Sequence, residues 1–166
     1  MIQVSLITES ILKGIIPIST NNTITTPLTQ TIMDSQEFYI RPILCTPLYE
    51  ELQTQIMNNT VTPDNQNLLD IIYPCLAYWV YYRYLVNNGA KVREQGVVNQ
   101  NGNTATTISL NDLTFLRGEA ESSAKMYEIR LQRFLQDNEA LYPLWKCECE
   151  ETCATVPLKN RRFRYI

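Results

Sequence analysis

Residues 65–87 read NQNLLDIIYPCLAYWVYYRYLVN, and the fold is decided by where this stretch goes. Between Leu68 and Val86 only Asp70 and Arg83 carry charge, so a helix here offers water almost no polar face and belongs inside the structure. Five tyrosines and Trp79 lie within it. Rings with a polar handle suit packing layers and subunit interfaces, where one end is dry and the other finds a partner. A membrane span does not fit: the uncharged run falls short of the ~20 residues a bilayer requires, and Pro74 interrupts the hydrogen-bond ladder. The stretch therefore reads as a central, buried helix.

Its flanks supply the rest of the architecture. Thr62-Pro63-Asp64 starts the central helix with an N-cap residue followed by a proline at the first helical position, where a missing N–H costs nothing. The same pair recurs at Thr26-Pro27 and Thr46-Pro47, predicting one helix from residue 27 to about 39 and another that ends at Asn58-Asn59. Arg41-Pro42 is expected to bend or end the first of these, because the residue before a proline avoids helical geometry. In the second, Leu48, Leu52 and Ile56 share a face.

Downstream, Asn87-Asn88-Gly89 reads as a left-handed C-cap, and residues 91–108 read as a β-hairpin turning at Asn101-Gly102. That register sets Val98 opposite Ala105 and Val97 opposite Thr106. Both faces of the ribbon are largely polar, and a lone two-stranded ribbon is marginal in water, so it needs the helices or a neighbour. A long helix follows from about 110 to 138, on the order of 40 Å, with Leu110, Leu113, Leu116, Ala120, Ala124, Tyr127, Leu131 and Leu135 as its buried stripe. Gly118, Ala120 and Ala124 are small enough to let the bulky central helix approach closely. The expected fold is mainly α: a bundle of about four main helices with a projecting β-hairpin. Residues 1–26 read as an N-terminal arm, in which Thr8 caps a short helix that Gly14 stops; 27–143 as the helical domain; 144–166 as an extended tail.

The chain carries a net charge of −3, but Lys159, Arg161, Arg162 and Arg164 give its last eight residues +4, leaving −7 for the remainder. A basic tail on an acidic body suggests that the tail meets something else. Arg161, Arg162, Phe163, Arg164 and Tyr165 interleave cations with rings, a pattern that suits an acidic protein surface and, as the alternative reading, nucleic acid. There is no histidine, which removes the commonest general base and every Ser-His or Cys-His nucleophile pair. No residue is nominated as catalytic, no cofactor is expected, and the carboxylate pairs Glu50/Glu51 and Glu119/Glu121 read as solvated faces.

The N-terminus lacks a secretory signal pattern, which predicts a reducing compartment and five free thiols. Cys147, Cys149 and Cys153 form the only thiolate cluster, but zinc normally takes four ligands at C-x2-C-type spacing, so they stand as weak metal candidates.

Four runs taken together resemble a known family: YIRPILCTPLYEELQTQI (39–56), TPDNQNLLDIIYPCLAYWVYYRYL (62–85), KVREQGVV (91–98) and LNDLTFLRGEAESSAKMYEIRLQRFLQDNEALYP (110–143). They resemble the small head–tail connector, or adaptor, proteins of tailed bacteriophages, most of all the neck ring proteins of crAss-like phages. The R-P-x-L…P-L-Y block at 41–49 and the P-x-L-A-Y-W core at 74–79 carry the likeness. The resemblance implies a structural virion protein, assembled in the host cytoplasm and present in many copies, commonly twelve. Its homo-oligomeric ring would sit between portal and tail, touch the portal protein and other neck or tail proteins, and let DNA pass without sequence specificity. It also implies that Arg93, Gln95, Val97, Val98 and Thr106 of the hairpin make subunit contacts, and that 161–165 dock on the portal or neck; the surplus aromatics of the central helix add Tyr82, expected at the surface beneath the hairpin, to the subunit contacts. The competing reading is a helical interaction module with a nucleic-acid-binding tail.

Overall fold

The computed structural model describes residues 4–16, 26–89, 91–93, 96–98 and 110–145; at 26–27, 87–89, 91–93, 96–98 and 110 it describes the backbone alone. Five α-helices carry the fold: α1 (Glu9–Ile15), α2 (Thr26–Ser35), α3 (Arg41–Asn58), α4 (Pro63–Gly89) and α5 (Leu110–Asp137). A π-helical turn (Gln36–Ile40) joins α2 to α3, two short strands β1 (Lys91–Arg93) and β2 (Gly96–Val98) follow α4, and a 3-10 turn (Pro143–Trp145) follows α5.

The central helix is where the sequence puts it. Leu68, Leu69, Ile72, Cys75, Leu76, Ala77 and Val80 of α4 are buried in one core with Leu44, Leu48, Tyr49 and Leu52 of α3. Thr62 caps α4 by accepting the Asn65 N–H, and buried Asn65 donates to Gln55 Oε1 at 2.9 Å, tying the start of α4 to the end of α3. Helix α5 runs antiparallel along α4. The Cys75 Sγ lies 4.0 Å from the Ala124 carbonyl, the Tyr78 and Tyr127 rings stack at 5.5 Å, and Arg117 reaches Tyr82. Ala120 and Ala124 allow this approach; Gly118 does not, because it is exposed and a Cβ there would meet nothing within 4 Å.

Prolines shape the α2–α3 region. Pro42 has no N–H for the Phe38 carbonyl and its ring would press on it; the chain answers with the wider π turn, in which the Arg41 N–H bonds the Gln36 carbonyl. The sharp break therefore falls beyond Arg41-Pro42, at Cys45, whose backbone takes φ 64 and ψ 154, a conformation that L residues rarely hold. Pro47 likewise leaves the Ile43 carbonyl without its helical donor. The Trp145 indole supplies one, at 2.9 Å. At the other end of α3, Asn59 closes the helix in the left-handed conformation, as the Asn58-Asn59 pair predicts.

Several expectations need correction. Residues 4–16 are not a free arm: Leu6, Ile7, Leu12 and Ile16 belong to the core, and α1, capped by Thr8, runs through Gly14 to Ile15. Their backbone is held by buried amides, with Gln36 Oε1 accepting the Leu6 N–H at 3.1 Å and Gln36 Nε2 donating to the Val4 carbonyl at 3.0 Å. Gln53 adds a 3.3 Å bond to the same carbonyl.

The strand pair is also not the expected hairpin. β1 and β2 are antiparallel with Lys91 opposite Val98, Val92 opposite Val97 and Arg93 opposite Gly96, a register centred before the Asn101-Gly102 step. Residues 99–109, which would supply the other strand of the expected hairpin, lie outside those described. Finally, residues 144–145 are not extended tail but belong to a 3-10 turn, Pro143–Trp145, packed on α3, and the rest of the tail, 146–166, lies outside the described residues.

Candidate functional site

At the strand end of the α4–α5 pair the core thins out. Residues 81–85 of α4 are only half-buried, Val86 is exposed, and α5 enters the core fully only at Ala120. A ridge of rings and guanidinium groups crosses this end. Trp79 stacks on Tyr39 with ring centres 3.8 Å apart and meets the edge of Tyr82 at 5.6 Å. Arg117 lies over the Tyr82 ring at 4.7 Å and donates to its hydroxyl at 2.6 Å. Next to it, Arg83 sits over Phe38 at 4.9 Å and pairs with Asp34 at 3.5 Å.

Position on the helices explains the arrangement. Trp79, Tyr82 and Arg83 fall three and four residues apart on α4, so they share one face. The π turn carries Phe38 and Tyr39 onto that face, and antiparallel packing sets Arg117 beside Tyr82. Cations stacked on rings contribute about 0.5–1 kcal/mol each at exposed sites. Their chief effect here is to hold long side chains in fixed positions. Phe38 is 61% exposed, so the ridge offers water a ring that the fold does not cover. Beneath it, the Trp79 Nε1–H and the Arg83 Nε–H are buried with no acceptor among the described residues.

A second polar cluster holds the π turn. The Tyr49 hydroxyl donates to Glu37 Oε1 at 2.9 Å, accepts from Gln53 at 3.1 Å, and Arg41 bridges to the other Glu37 oxygen at 2.9 Å. Burial, reinforced by the bond to Glu37, pushes the Tyr49 phenol well above its ordinary range. Burial among α4 and α5 side chains, and next the Glu128 charge, do the same to the Cys75 thiol. Neither group is poised for proton transfer near neutral pH.

Of the residues singled out from sequence, Tyr82 is on the ridge. Arg93, Val97 and Val98 lie in the strand pair just beyond α4, with side chains outside the description; Gln95, Thr106 and 161–165 are outside the described residues altogether. So are Cys147, Cys149 and Cys153, and among the described residues no group of three or more potential ligands could hold a metal. The expectation of five free thiols fails at Cys45, which is disulfide-bonded; Cys75 is free and buried. Among the described residues no helix is long and apolar enough to cross a membrane. Sequence reading missed Phe38, Arg83 and Arg117. The expected pairing of α4 with α5 carries no direction, so it does not place Arg117 near Tyr82, and nothing local marks Phe38.

Fold and surface together define a mainly helical, single-core protein whose most distinctive exposed feature is an arginine–aromatic ridge. The chain belongs to the DUF6712 family, a family of unknown function, whose family model matches residues 40–155. The match begins at the end of the π turn and runs beyond the boundary expected at 143–144, into the cysteine-bearing stretch. No curated protein and no solved structure matches the chain.

Proposed function

We propose that this chain is a structural virion protein, a head–tail connector whose copies form a ring between portal and tail and line the passage for DNA. The observation that carries the reading is the ridge itself: Phe38, Tyr82, Arg83 and Arg117 form a held but uncovered surface of the residue types that dominate protein interfaces. Support also comes from the resemblance stated above, whose two most specific blocks build the kinked α3 and the middle of α4. In this reading the strand pair after α4 projects toward a neighbouring subunit, with Arg93, Gln95, Val97, Val98 and Thr106 making contacts between copies. The basic residues 161–165 dock on the portal or the next neck component. The protein is non-catalytic and needs no cofactor, and its mechanism is geometric: a closed ring uses heterologous contacts, so every subunit carries two different complementary surfaces.

Native mass measurement and negative-stain electron microscopy of the purified chain, alone and with its portal, test the reading. A ring-sized species, commonly twelve copies, is expected. A chain that stays monomeric at high concentration with the portal present would overturn it. Salt-dependent DNA binding by that monomer, lost on replacing Arg161, Arg162 and Arg164, would favour the helical nucleic-acid-binding module instead.

A further inference from the structure

Cys45 is disulfide-bonded, and its partner lies outside the described residues. The chain has five cysteines and Cys75 is free, so the partner is Cys147, Cys149 or Cys153. Two contacts of Trp145 choose among them. Its indole donates to the Ile43 carbonyl at 2.9 Å, and its own carbonyl oxygen lies 3.8 Å from the Cys45 Sγ. The downstream side of Trp145 therefore faces the residue downstream of Ile43, and the two segments run in the same direction. A step of two residues along each carries the Ile43–Trp145 contact to Cys45 and Cys147. Chain length alone keeps the Cys147 Cα within about 7 Å of the Trp145 Cα. Cys149 is twice as far along the chain, and Cys153 four times.

We propose that Cys45 and Cys147 form a reversible redox lock, which clamps the start of the C-terminal segment, and with it the Trp145 seat, onto the kink of α3. The lock does not depend on the ring reading. Its oxidant is a small-molecule disulfide of the glutathione type. The Cys147 thiolate attacks one sulfur of glutathione disulfide, expels one glutathione and leaves a mixed disulfide. The Cys45 thiolate then attacks the Cys147 sulfur, the Cys45–Cys147 bond forms, and the second glutathione leaves. Two protein thiols are oxidised, one glutathione disulfide is reduced, and the two thiol protons end on the two glutathiones. Cys45 is 5% exposed, which gives it the second step, because a buried sulfur cannot meet the bulky reagent first. Excess glutathione runs both steps backward. The Cys45 thiol then donates to the Trp145 carbonyl, so the seat persists in a weaker, non-covalent form. The lock is open where glutathione is mostly reduced and closed in oxidising surroundings. Closing it ties off a loop of about 100 residues, and cross-links over long loops take the most freedom from the unfolded chain.

The test uses the full chain in two forms. Cys149→Ser with Cys153→Ser keeps Cys45, Cys75 and Cys147; the control, Cys147→Ser with Cys153→Ser, keeps Cys149 in place of Cys147. Each folded form is equilibrated with reduced glutathione or with a mixture rich in glutathione disulfide, then denatured and labelled with a maleimide. Intact mass separates an internal disulfide from a glutathione adduct. With reduced glutathione both forms should take three labels. In the oxidising mixture the first form should hold one internal disulfide and take a single label, on Cys75, while the control holds no internal disulfide. The first form should also melt about 5–10 °C higher oxidised than reduced, a gain that reduced glutathione reverses and the control lacks. No internal disulfide in the first form, or a melting temperature indifferent to redox state, would overturn the lock. An internal disulfide in the control that forms as readily would overturn the assignment to Cys147. None of these readouts depends on oligomeric state, so their failure leaves the ring reading standing.

Discussion

Replacing Gln36 with alanine should unlatch residues 4–16 while leaving the rest of the core folded. The Gln36 side chain is fully buried and is the acceptor for the Leu6 N–H and a donor to the Val4 carbonyl. Truncation strands the Leu6 N–H, which has no other partner among the described residues, at about 1–3 kcal/mol for a buried unsatisfied donor. The Val4 carbonyl keeps its 3.3 Å bond from Gln53, so its loss is smaller, about 1 kcal/mol. A total of about 2–4 kcal/mol is expected, against about 1 kcal/mol for Gln53→Ala, which gives up only that longer bond to the segment. Native-state hydrogen exchange is the suitable assay, because the loss is local. The amides of Leu12 and Ile16, bonded to the carbonyls of Thr8 and Leu12, should exchange on the order of thirtyfold faster or more, and those in the middle of α4 should not change. Unchanged protection at Leu12 and Ile16, an equal effect from Gln53→Ala, or uniform loosening of α4 would refute the argument that these amides latch the segment.

Trp145→Phe keeps a ring on α3 but removes the donor that replaces Pro47's missing N–H, so urea unfolding should show a loss of about 1–2 kcal/mol. Gly118→Ala should raise stability by about 0.5–1 kcal/mol, since the added methyl meets nothing and the exposed helix loses a glycine; a thermal melt that moves downward would count against this. Trp79→Ala should cost about 3–5 kcal/mol of folding free energy, whereas Tyr82→Ala, half-exposed on the ridge, should weaken assembly more than folding; equal unfolding by both would sink that division. Stability should hold from neutral pH to about 9 and then fall. Above that pH the unfolded chain releases protons from the Cys75 thiol and then the Tyr49 phenol, while the folded chain, with both pKa values raised, retains them. Each group contributes a slope of about −1.4 kcal/mol per pH unit, so Tyr49→Phe should flatten the decline above pH 10 in alkaline denaturation curves.

Those predictions draw unevenly on what the sequence makes visible. The buried α4, its Thr-Pro start and its small-residue contacts with α5 follow from local signals: apolar content, caps and residue volume. The N-terminal segment looks like an arm because Val4, Leu6 and Ile7 form too short a run to show a period, and the groups that hold them, Gln36 and Gln53, lie thirty and more residues away. Gln36 reads as an ordinary polar helix residue until the π turn rotates it inward. The Asn101-Gly102 step misleads because turn chemistry is read locally, whereas register depends on which residues end up opposite each other. Of the ridge, the surplus aromatics of α4 were visible, and Tyr82 with them. Its arginines were not, because an isolated Arg on a helix looks the same whether it stacks on a ring or points into water.

The π turn has one more consequence, and it concerns phase. Because a π turn closes its hydrogen bonds from residue i to i+5, one residue more than an α-helical turn, the segment acts as a one-residue insertion absorbed within a continuous helical path. Each residue of a helix advances the chain by about 100°. Deleting one position between 36 and 40 would remove the extra residue that accommodates Pro42, and everything upstream would rotate by that angle about its axis. Leu28 and Ile32 would swing out of the core, and the Phe38 side of the ridge would lose its alignment with Arg83. A single deletion here would therefore dismantle both core and surface, although no buried side chain need be truncated.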